Sequence, residues 1–276
     1  QNHYGQVVNR SFGGRSFKQV VGYRNLDELN QKIEKFSYRV LKKDCLDLPS
    51  KIYQTREVEL TKEQKTYYEM IKENAIALLS SNDMVSVNNV LTQILRLHQI
   101  TCGFVKTDEG EELEIDNNRM DELINVLAEM QGKVIIWANY RHNIKEIIET
   151  ISGLAGADSV AGYYGDTSGE ERENVIRRFQ DPDSSLRYFV GNTQTGGYGI
   201  TLTQSQNVIY YSNSFDLEKR LQSEDRAHRI GQTNKVTYVD LVSKGTVDEK
   251  IVKALRNKLS LAQEVLGDEK WKSWIV

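Results

Sequence analysis

Three long polar side chains near the C-terminal end of the sequence lie at helical spacing and could bind a phosphate group. They are Gln222, Arg226 and Arg229, within the string Gln222-Ser-Glu-Asp-Arg-Ala-His-Arg-Ile-Gly-Gln232. Positions i, i+4 and i+7 share one face of a helix, and Gly231 favours a left-handed end to that helix. An arginine guanidinium is always charged, and its planar fork matches phosphate oxygens. The spacing therefore predicts a cationic pair facing a phosphate, with a solvated, salt-bridged helix end as the alternative.

The same string resembles motif VI of the Swi/Snf-type ATPases, the chromatin-remodeler-like branch of the superfamily-two helicases. That motif reads Q-x-x-x-R-x-H-R-x-G-Q, and every fixed position is filled here. In that family the two arginines reach across a cleft to ATP held by another lobe. The resemblance implies that Arg226 and Arg229 are catalytic, and that both bind the nucleotide together with Gln222.

A glycine-rich segment, Gly191-Asn-Thr-Gln-Thr-Gly-Gly-Tyr-Gly-Ile-Thr-Leu-Thr203, follows an apolar strand that ends at Val190. Clustered glycines let backbone amides approach an anion closely, although tight turns need glycine as well. The segment resembles motif V of the same family, S-T-x-A-G-G-x-G-x-N-L. It departs from that pattern at three positions, Asn192, Thr195 and Thr201. The resemblance implies nucleotide contacts by Gly197 and Gly199 and a DNA contact by Thr193.

Two further segments resemble DNA-facing parts of the family. Lys133-Val-Ile-Ile-Trp-Ala-Asn-Tyr140 resembles motif IV. Arg141 opens the next helix, where a basic side chain and free backbone amides can hold a phosphate. The loop Tyr164-Gly-Asp-Thr-Ser168 and the helix after it resemble the family's G-x-T/S loop before motif V. The resemblance implies that Arg141 contacts DNA. It implies the same for three residues of the second segment, Gly165, Thr167 and Arg172.

The composition is that of an ordinary globular protein. The 276 residues carry a net charge of −3, so any contact with nucleic acid must come from a local basic patch. Cys45 and Cys102 lie far apart, which argues against a disulfide scaffold or a zinc site, and we predict no metal site on this chain. No apolar run approaches the ~18 residues of a membrane span, and no signal peptide is visible. Because the sequence begins with Gln1 rather than Met, we expect a fragment or a processed product.

From residue 133 onward, short apolar strands alternate with amphipathic helices, as in buried parallel strands joined by right-handed crossovers. The predicted strands are Lys133–Trp137, Ser159–Tyr163, Leu186–Val190, Val208–Tyr211 and Val236–Val242. The predicted helices are 141–151, 168–179, 216–227 and 246–266. This alternation predicts an α/β fold, a doubly wound parallel sheet with helices on both faces, and the family resemblance implies a RecA-like sheet. Ligands should lie in loops at the carboxyl ends of the strands.

The preceding segment is mainly helical in pattern, with helices predicted at 26–38, 61–79, 87–100 and 118–130. Residues 1–56 are basic, and glycines break up their first part into predicted loops. This stretch could be a strip that faces nucleic acid or a solvated linker. Its end, from Arg39 to Leu48-Pro49-Ser-Lys51, resembles the link between the two motor lobes of the family.

Four parts are predicted along the chain. Residues 1–56 would be the end of a first motor lobe and the inter-lobe link, and residues 57–131 a helical segment packed on the next lobe. Residues 132–245 would form the RecA-like core of the second motor lobe. Residues 246–276 would be a C-terminal helix and tail that pack on this lobe.

The sequence contains no G-x-x-x-x-G-K-[ST] phosphate loop and no D-E-x-H strand. The family carries both in its first lobe, so the resemblance implies that this chain is the second lobe and is inactive alone. ATP and Mg²⁺ would be bound mainly by the first RecA-like lobe of the same polypeptide. The expected whole is a DNA-dependent ATP hydrolase that translocates on duplex DNA and remodels or displaces DNA-bound protein.

The alternative is a non-catalytic module that binds DNA or protein, which the missing phosphate loop favours if the gene encodes only these residues. An unrelated doubly wound enzyme lacks support, because no nucleophile-base pair or cofactor fingerprint is visible. Ser212-Asn-Ser-Phe-Asp216 stands where the eukaryotic branch usually has D-x-x-W-N-P. We therefore expect a protein of the bacterial or phage branch, located in the cytoplasm rather than the nucleus.

Overall fold

The computed structural model describes residues 3–12, 15–38, 45–80, 87–107, 110–196 and 199–265. The predictions on Gly197, on the Arg39–Asp44 part of the link and on the tail after residue 265 lie outside the described residues. No helix within the described ranges has the length and apolar character needed to cross a membrane.

The elements follow the predicted alternation. The N-terminal part contains β1 (Gly5–Phe12), β2 (Arg15–Tyr23), α1 (Leu26–Glu34), β3 (Lys51–Val58), α2 (Lys62–Ser80), α3 (Val87–Thr101), β4 (Phe104–Lys106), β5 (Glu112–Glu114) and α4 (Arg119–Glu129). The C-terminal part contains β6 (Lys133–Trp137), α5 (Arg141–Ala155), β7 (Val160–Tyr163), α6 (Gly169–Gln180), β8 (Tyr188–Gly191), the single turn α7 (Thr193–Gly196), β9 (Ser205–Tyr210), α8 (Leu217–Ala227), β10 (Val236–Ser243) and α9 (Val247–Val265). All strands and helices predicted after residue 133 are present, with ends shifted by a few residues.

The central sheet is parallel, with the strand order β3-β10-β9-β6-β8-β7. Successive side chains of a strand point to opposite faces. Val134 and Ile136 of β6 accordingly pack in a core with α4 and α5, whereas Ile135 and Trp137 pack in a second core with α6 and α8. Helices therefore cover both faces, which confirms the doubly wound α/β fold.

The N-terminal strands differ from the prediction. The glycine-containing stretch predicted as loops forms an antiparallel hairpin of β1 and β2. Two of its glycines, Gly5 and Gly22, lie at the open end of the hairpin and pair with Tyr23 and Gln6, while valines supply strand propensity between them. β3, which was not predicted, pairs in parallel with β10 and forms one edge of the central sheet. Only Val58 of β3 is buried, and the strand's charged residues leave no apolar run that would predict it.

The helical segment is anchored on the sheet layer. Thr61 and Gln64 form a capping box at the start of α2: Gln64 N donates to Thr61 Oγ1 at 3.1 Å, and Thr61 N donates to Gln64 Oε1 at 3.0 Å. At the start of α9 the side-chain capping contacts are different. Thr246 Oγ1 accepts from Asp248 N at 3.2 Å and donates to Ser243 O at 2.7 Å. α3 packs on both α2 and α9.

A buried ion pair between Arg119 and Asp248 joins α4 to α9. The Arg119 side chain also donates to the carbonyl oxygens of Thr101 at 2.9 Å, Tyr211 at 2.5 Å and Leu241 at 3.0 Å. One guanidinium thus connects α3, α4 and α9 to the chain after β9 and to β10. This network fixes the helical segment beside the carboxyl ends of those strands.

Candidate functional site

The two arginines predicted to meet a phosphate lie side by side at the end of α8. Arg226 is in the last turn of the helix, whereas Arg229 lies beyond it, because α8 ends at Ala227. Nη1 of each side chain donates to the same carbonyl oxygen, that of Ile200, at 3.3 Å and 3.2 Å respectively. The guanidinium groups are therefore brought together, but the prediction that one helix face carries both is wrong.

Two side chains within the same string explain why α8 ends before Arg229. The Gln232 amide is buried and donates to the carbonyl oxygens of Ala227, Thr203 and Ser205. His228 Nε2 lies 2.7 Å from the carbonyl oxygen of Pro49. Gly231 has φ 97°, the left-handed conformation that was predicted for it. The bonds of Gln232 and His228 span distant parts of the chain, so helical periodicity could not reveal them.

The electrostatics of the arginine pair favour an anion. Both side chains are half-buried. Burial lowers the pKa of Arg226, and the nearby Arg229 charge lowers it further, while Asp225 acts in the opposite direction. Arginine guanidinium groups stay protonated in proteins, so the pair carries two positive charges. Two like charges held together repel each other, so a phosphate between them would relieve this repulsion.

Gln222, the third residue predicted to bind the nucleotide, supports the helix in this structure. Its side-chain amide donates to Glu218 Oε1 at 2.9 Å, one turn earlier in α8. Its backbone carbonyl accepts from Arg226 Nε at 2.9 Å and so orients that guanidinium. The predicted contact of the Gln222 side chain with a nucleotide stays a prediction.

The glycine-rich loop runs between the two predicted binding regions. Gly199 has φ 72°, a conformation that favours glycine. Leu202 N donates to the carbonyl oxygen of Arg226 at 2.9 Å, which ties the loop to the end of α8. α7, which opens the loop with Thr193, packs against α8. The loop therefore reaches from the carboxyl end of β8 to the arginine pair.

Residues predicted to contact DNA come together where β6, β7 and β8 end. Arg141 begins α5 directly after β6, Gly165 and Thr167 follow β7, and Thr193 follows β8. Arg141 Nη1 lies 2.9 Å from Asp166 Oδ1, and both side chains are exposed. A Cβ atom at position 165 would lie 2.6 Å from Arg141 Nη2, so glycine permits this close approach. Ligand contacts at the carboxyl ends of parallel strands are typical of doubly wound sheets.

Thr167 and Arg172 support the loop after β7 from within. Thr167 is buried, and its Oγ1 accepts from Tyr164 N at 3.2 Å and donates to Gly162 O at 3.2 Å. Arg172 Nη2 donates to the carbonyl oxygen of Tyr164 at 2.8 Å, and its guanidinium lies 5.5 Å from the centre of the Tyr163 ring. These two side chains shape the loop, and their predicted DNA contacts stay predictions.

The helical segment braces the same edge of the sheet through side chains that were not predicted to act there. Buried His98 of α3 lies with Nδ1 2.7 Å from the hydroxyl of Tyr140, the residue before Arg141. Phe104 stacks on His142 with ring centres 4.5 Å apart. The start of α5, where Arg141 stands, is therefore held by aromatic contacts from α3 and β4. Among the described residues, no group of three or more His, Cys, Asp or Glu side chains is placed to hold a metal ion.

Comparisons with known proteins agree with these motifs. The family model described as the helicase conserved C-terminal domain matches residues 117–231. The CHD3-type chromatin-remodeling factor PICKLE of Arabidopsis thaliana is 27% identical, over 91% of this chain and 19% of that protein. The putative ATP-dependent helicase/translocase YwqA of Bacillus subtilis is 26% identical, over 90% of this chain and 28% of that protein. The chain thus spans less than a third of the length of either relative.

A solved structure extends the likeness to three dimensions. The SWI2/SNF2 ATPase core of Sulfolobus solfataricus in complex with dsDNA superposes with a TM-score of 0.62 at 28% identity, over 90% of this chain and 53% of that one. The parallel sheet, the motif order and these similarities all point to one family. Residues 117–231 thus form a helicase conserved C-terminal domain, and the chain corresponds to the C-terminal lobe of the Swi2/Snf2-type proteins.

Proposed function

We propose that this lobe completes the ATP site of a DNA-dependent motor that translocates on duplex DNA and remodels or displaces DNA-bound protein. The observation that carries the proposal is the convergence of Arg226 and Arg229 on the carbonyl oxygen of Ile200. Two adjacent guanidinium groups fit a terminal phosphate, because each presents a planar fork of N–H donors.

In this proposal Arg226 and Arg229 are arginine fingers that reach ATP held by the first lobe of the same polypeptide. They would stabilise the charge that develops on the transferring phosphate, an effect typically worth about 10³ to 10⁵ in rate. Mg²⁺ would neutralise the phosphate oxygens and would be held mainly by the first lobe, because a cationic arginine pair does not suit a metal ion.

The DNA would pass along the carboxyl ends of β6, β7 and β8, beside Arg141 and the loops that contain Gly165 and Thr193. The complex of the Sulfolobus solfataricus relative with dsDNA supports this part of the proposal. The glycine-rich loop lies between the arginine pair and the carboxyl ends of β6 to β8. A movement at the nucleotide would therefore shift the residues that contact DNA. The predicted division of the chain, with a link before residue 57 and a lobe core at 132–245, belongs to the same proposal.

ATP hydrolysis by the full-length parent protein, with and without duplex DNA, tests the proposal. Arg229→Ala should lower DNA-stimulated kcat at least ~100-fold, because it removes charge stabilisation at the transition state. Arg177→Ala, which removes an exposed arginine of α6, is the matched control and should leave kcat unchanged.

DNA-stimulated turnover that is indifferent to Arg229→Ala would remove the arginine from its proposed role. A parent protein that binds DNA but hydrolyses no ATP would favour the non-catalytic binding module instead.

A further inference from the structure

The link, which enters the sheet as β3, is held to the arginine-bearing end of α8 by side-chain contacts across 170 or more positions of sequence. Lys51 Nζ and the Tyr53 hydroxyl both donate to Glu224 Oε2, each at 2.8 Å. His228 Nε2 lies 2.7 Å from the carbonyl oxygen of Pro49. A carbonyl only accepts, so His228 Nε2 carries the proton and donates it. We call these five residues, Pro49, Lys51, Tyr53, Glu224 and His228, the link clamp.

The link clamp is built around a buried charge. The Glu224 side chain has no exposed surface, and Lys51 is only 22% exposed. The second carboxylate oxygen of Glu224 accepts from Arg220 Nε at 2.8 Å, so both oxygens are occupied. Burial alone would raise the pKa of Glu224, but the charges of Lys51 and Arg220 outweigh it and keep the pKa below its ordinary value. The carboxylate thus stays ionised and holds its partners at neutral pH.

The link clamp and the arginine pair share one short stretch of chain. Arg226 stands between Glu224 and His228, and Arg229 follows His228 directly. Arg226 is additionally oriented by its own helix, through the bond of its Nε to Gln222 O. Arg229 lies beyond the helix end, and the bond from the adjacent His228 to Pro49 ties its backbone to the link. A displacement of β3 would therefore move Arg229 more than Arg226.

We propose that Glu224 and His228 are positioning residues, which set the place of Arg229 according to the position of the inter-lobe link. The inference rests on the proposed function and deepens it, because it names what holds an arginine finger in register. A misplacement of ~1 Å at a catalytic group can cost about 100-fold in rate. The arginine finger would then be competent only while the link is clamped.

The test is DNA-stimulated ATP hydrolysis by the full-length parent with two substitutions of His228. His228→Leu removes the donor, whereas His228→Gln keeps an amide N–H near the place of Nε2. We expect His228→Leu to lower kcat roughly tenfold or more, with an unchanged KM for ATP and an unchanged melting temperature. His228→Gln should retain most of the activity. Lys51→Met and Lys51→Arg form a second pair at the edge strand, with the same expected contrast, and replace the first if His228→Leu does not fold.

The double variant Arg229→Ala/His228→Leu separates positioning from general damage. If His228 acts through Arg229, the double variant should have the same kcat as Arg229→Ala alone. Losses that multiply would overturn the inference, as would full activity of both His228→Leu and Lys51→Met. If His228→Leu and His228→Gln lower kcat equally and also lower the melting temperature, His228 has a structural role only and the inference is wrong. A normal kcat in Arg229→Ala would instead refute the proposed function itself.

Discussion

Arg141 and Arg119 each form an ion pair, but the first pair is exposed and the second is buried. The Arg141 and Asp166 side chains are 65% and 44% exposed, and such a pair contributes only about 0 to 1 kcal/mol to stability. A DNA phosphate can therefore replace Asp166 as the partner of Arg141 at little cost. Arg119 and Asp248 are buried, so neither charge can exchange its partner for a ligand. Exposure, rather than residue type, separates the arginine proposed to bind DNA from the structural one.

Arg141→Ala should weaken DNA binding to a similar degree for every sequence. One fewer phosphate contact should reduce the slope of log K against log salt by about 1, because one fewer counterion is released. Asp166→Asn is the matched variant and should strengthen binding, since it removes the competing carboxylate. Binding of fluorescent duplexes to the parent protein at several salt concentrations measures both. An unchanged salt slope in Arg141→Ala would contradict the contact.

At the scale of the elements, α3 and α9 are joined by a titratable contact. His98 Nε2 lies 3.7 Å from Asp248 Oδ1, within the network that holds α4 and α9 together. Burial lowers the pKa of His98 from its ordinary 6.5 to about 4, with Asp248 raising it and Arg119 lowering it. The histidine is therefore neutral in the folded chain at pH 5, where it would be protonated in the unfolded chain. Acid thus favours unfolding between about pH 6.5 and pH 4.

His98→Gln should remove this dependence while keeping a hydrogen bond to Tyr140. When the pH is lowered from 7 to 5, the free energy of unfolding should fall by roughly 2 kcal/mol more in the unsubstituted protein than in the His98→Gln variant. Urea unfolding of both proteins at the two pH values gives the difference directly, and other titrating groups cancel between them. Parallel pH profiles of the two proteins would show that His98 gains its proton without unfolding.

Local periodicity allows most of the elements to be predicted. The buried strands from β6 onward and the amphipathic helices repeat their apolar residues at the expected periods. β3 has no such apolar period, because it is an edge strand with mostly exposed or half-buried residues, and charged side chains such as Lys51 and Arg56 interrupt its sequence. The departure of Arg229 from α8 has none either, because Pro49 and Gln232 impose it through tertiary hydrogen bonds. The sequence motifs name the residues of the candidate site. Their geometry could not be predicted, because it depends on contacts between segments that are distant in sequence.

At the scale of the whole molecule, the lobe carries the arginine pair without a phosphate loop. The purified 276-residue chain, checked by circular dichroism for folding, should show no ATP hydrolysis above background with or without duplex DNA. Addition of a first lobe in one polypeptide should raise turnover by more than ~10³-fold, because the proposed arginine fingers would act only on a bound nucleotide. Appreciable turnover by the isolated chain would contradict the division of the site between two lobes.

The position of β3 in the sheet also has a consequence for biosynthesis. Lys51 of β3 pairs with Val236 of β10, which is 185 positions later (236 − 51), and synthesis at about 5 to 20 residues per second leaves β3 without its partner strand for on the order of ten seconds or longer. An unpaired strand edge invites aggregation with other chains, and charged side chains discourage it. Arg56 and Glu57 supply such charges within β3. The polar character that conceals this strand in the sequence is thus its protection while the nascent chain is incomplete.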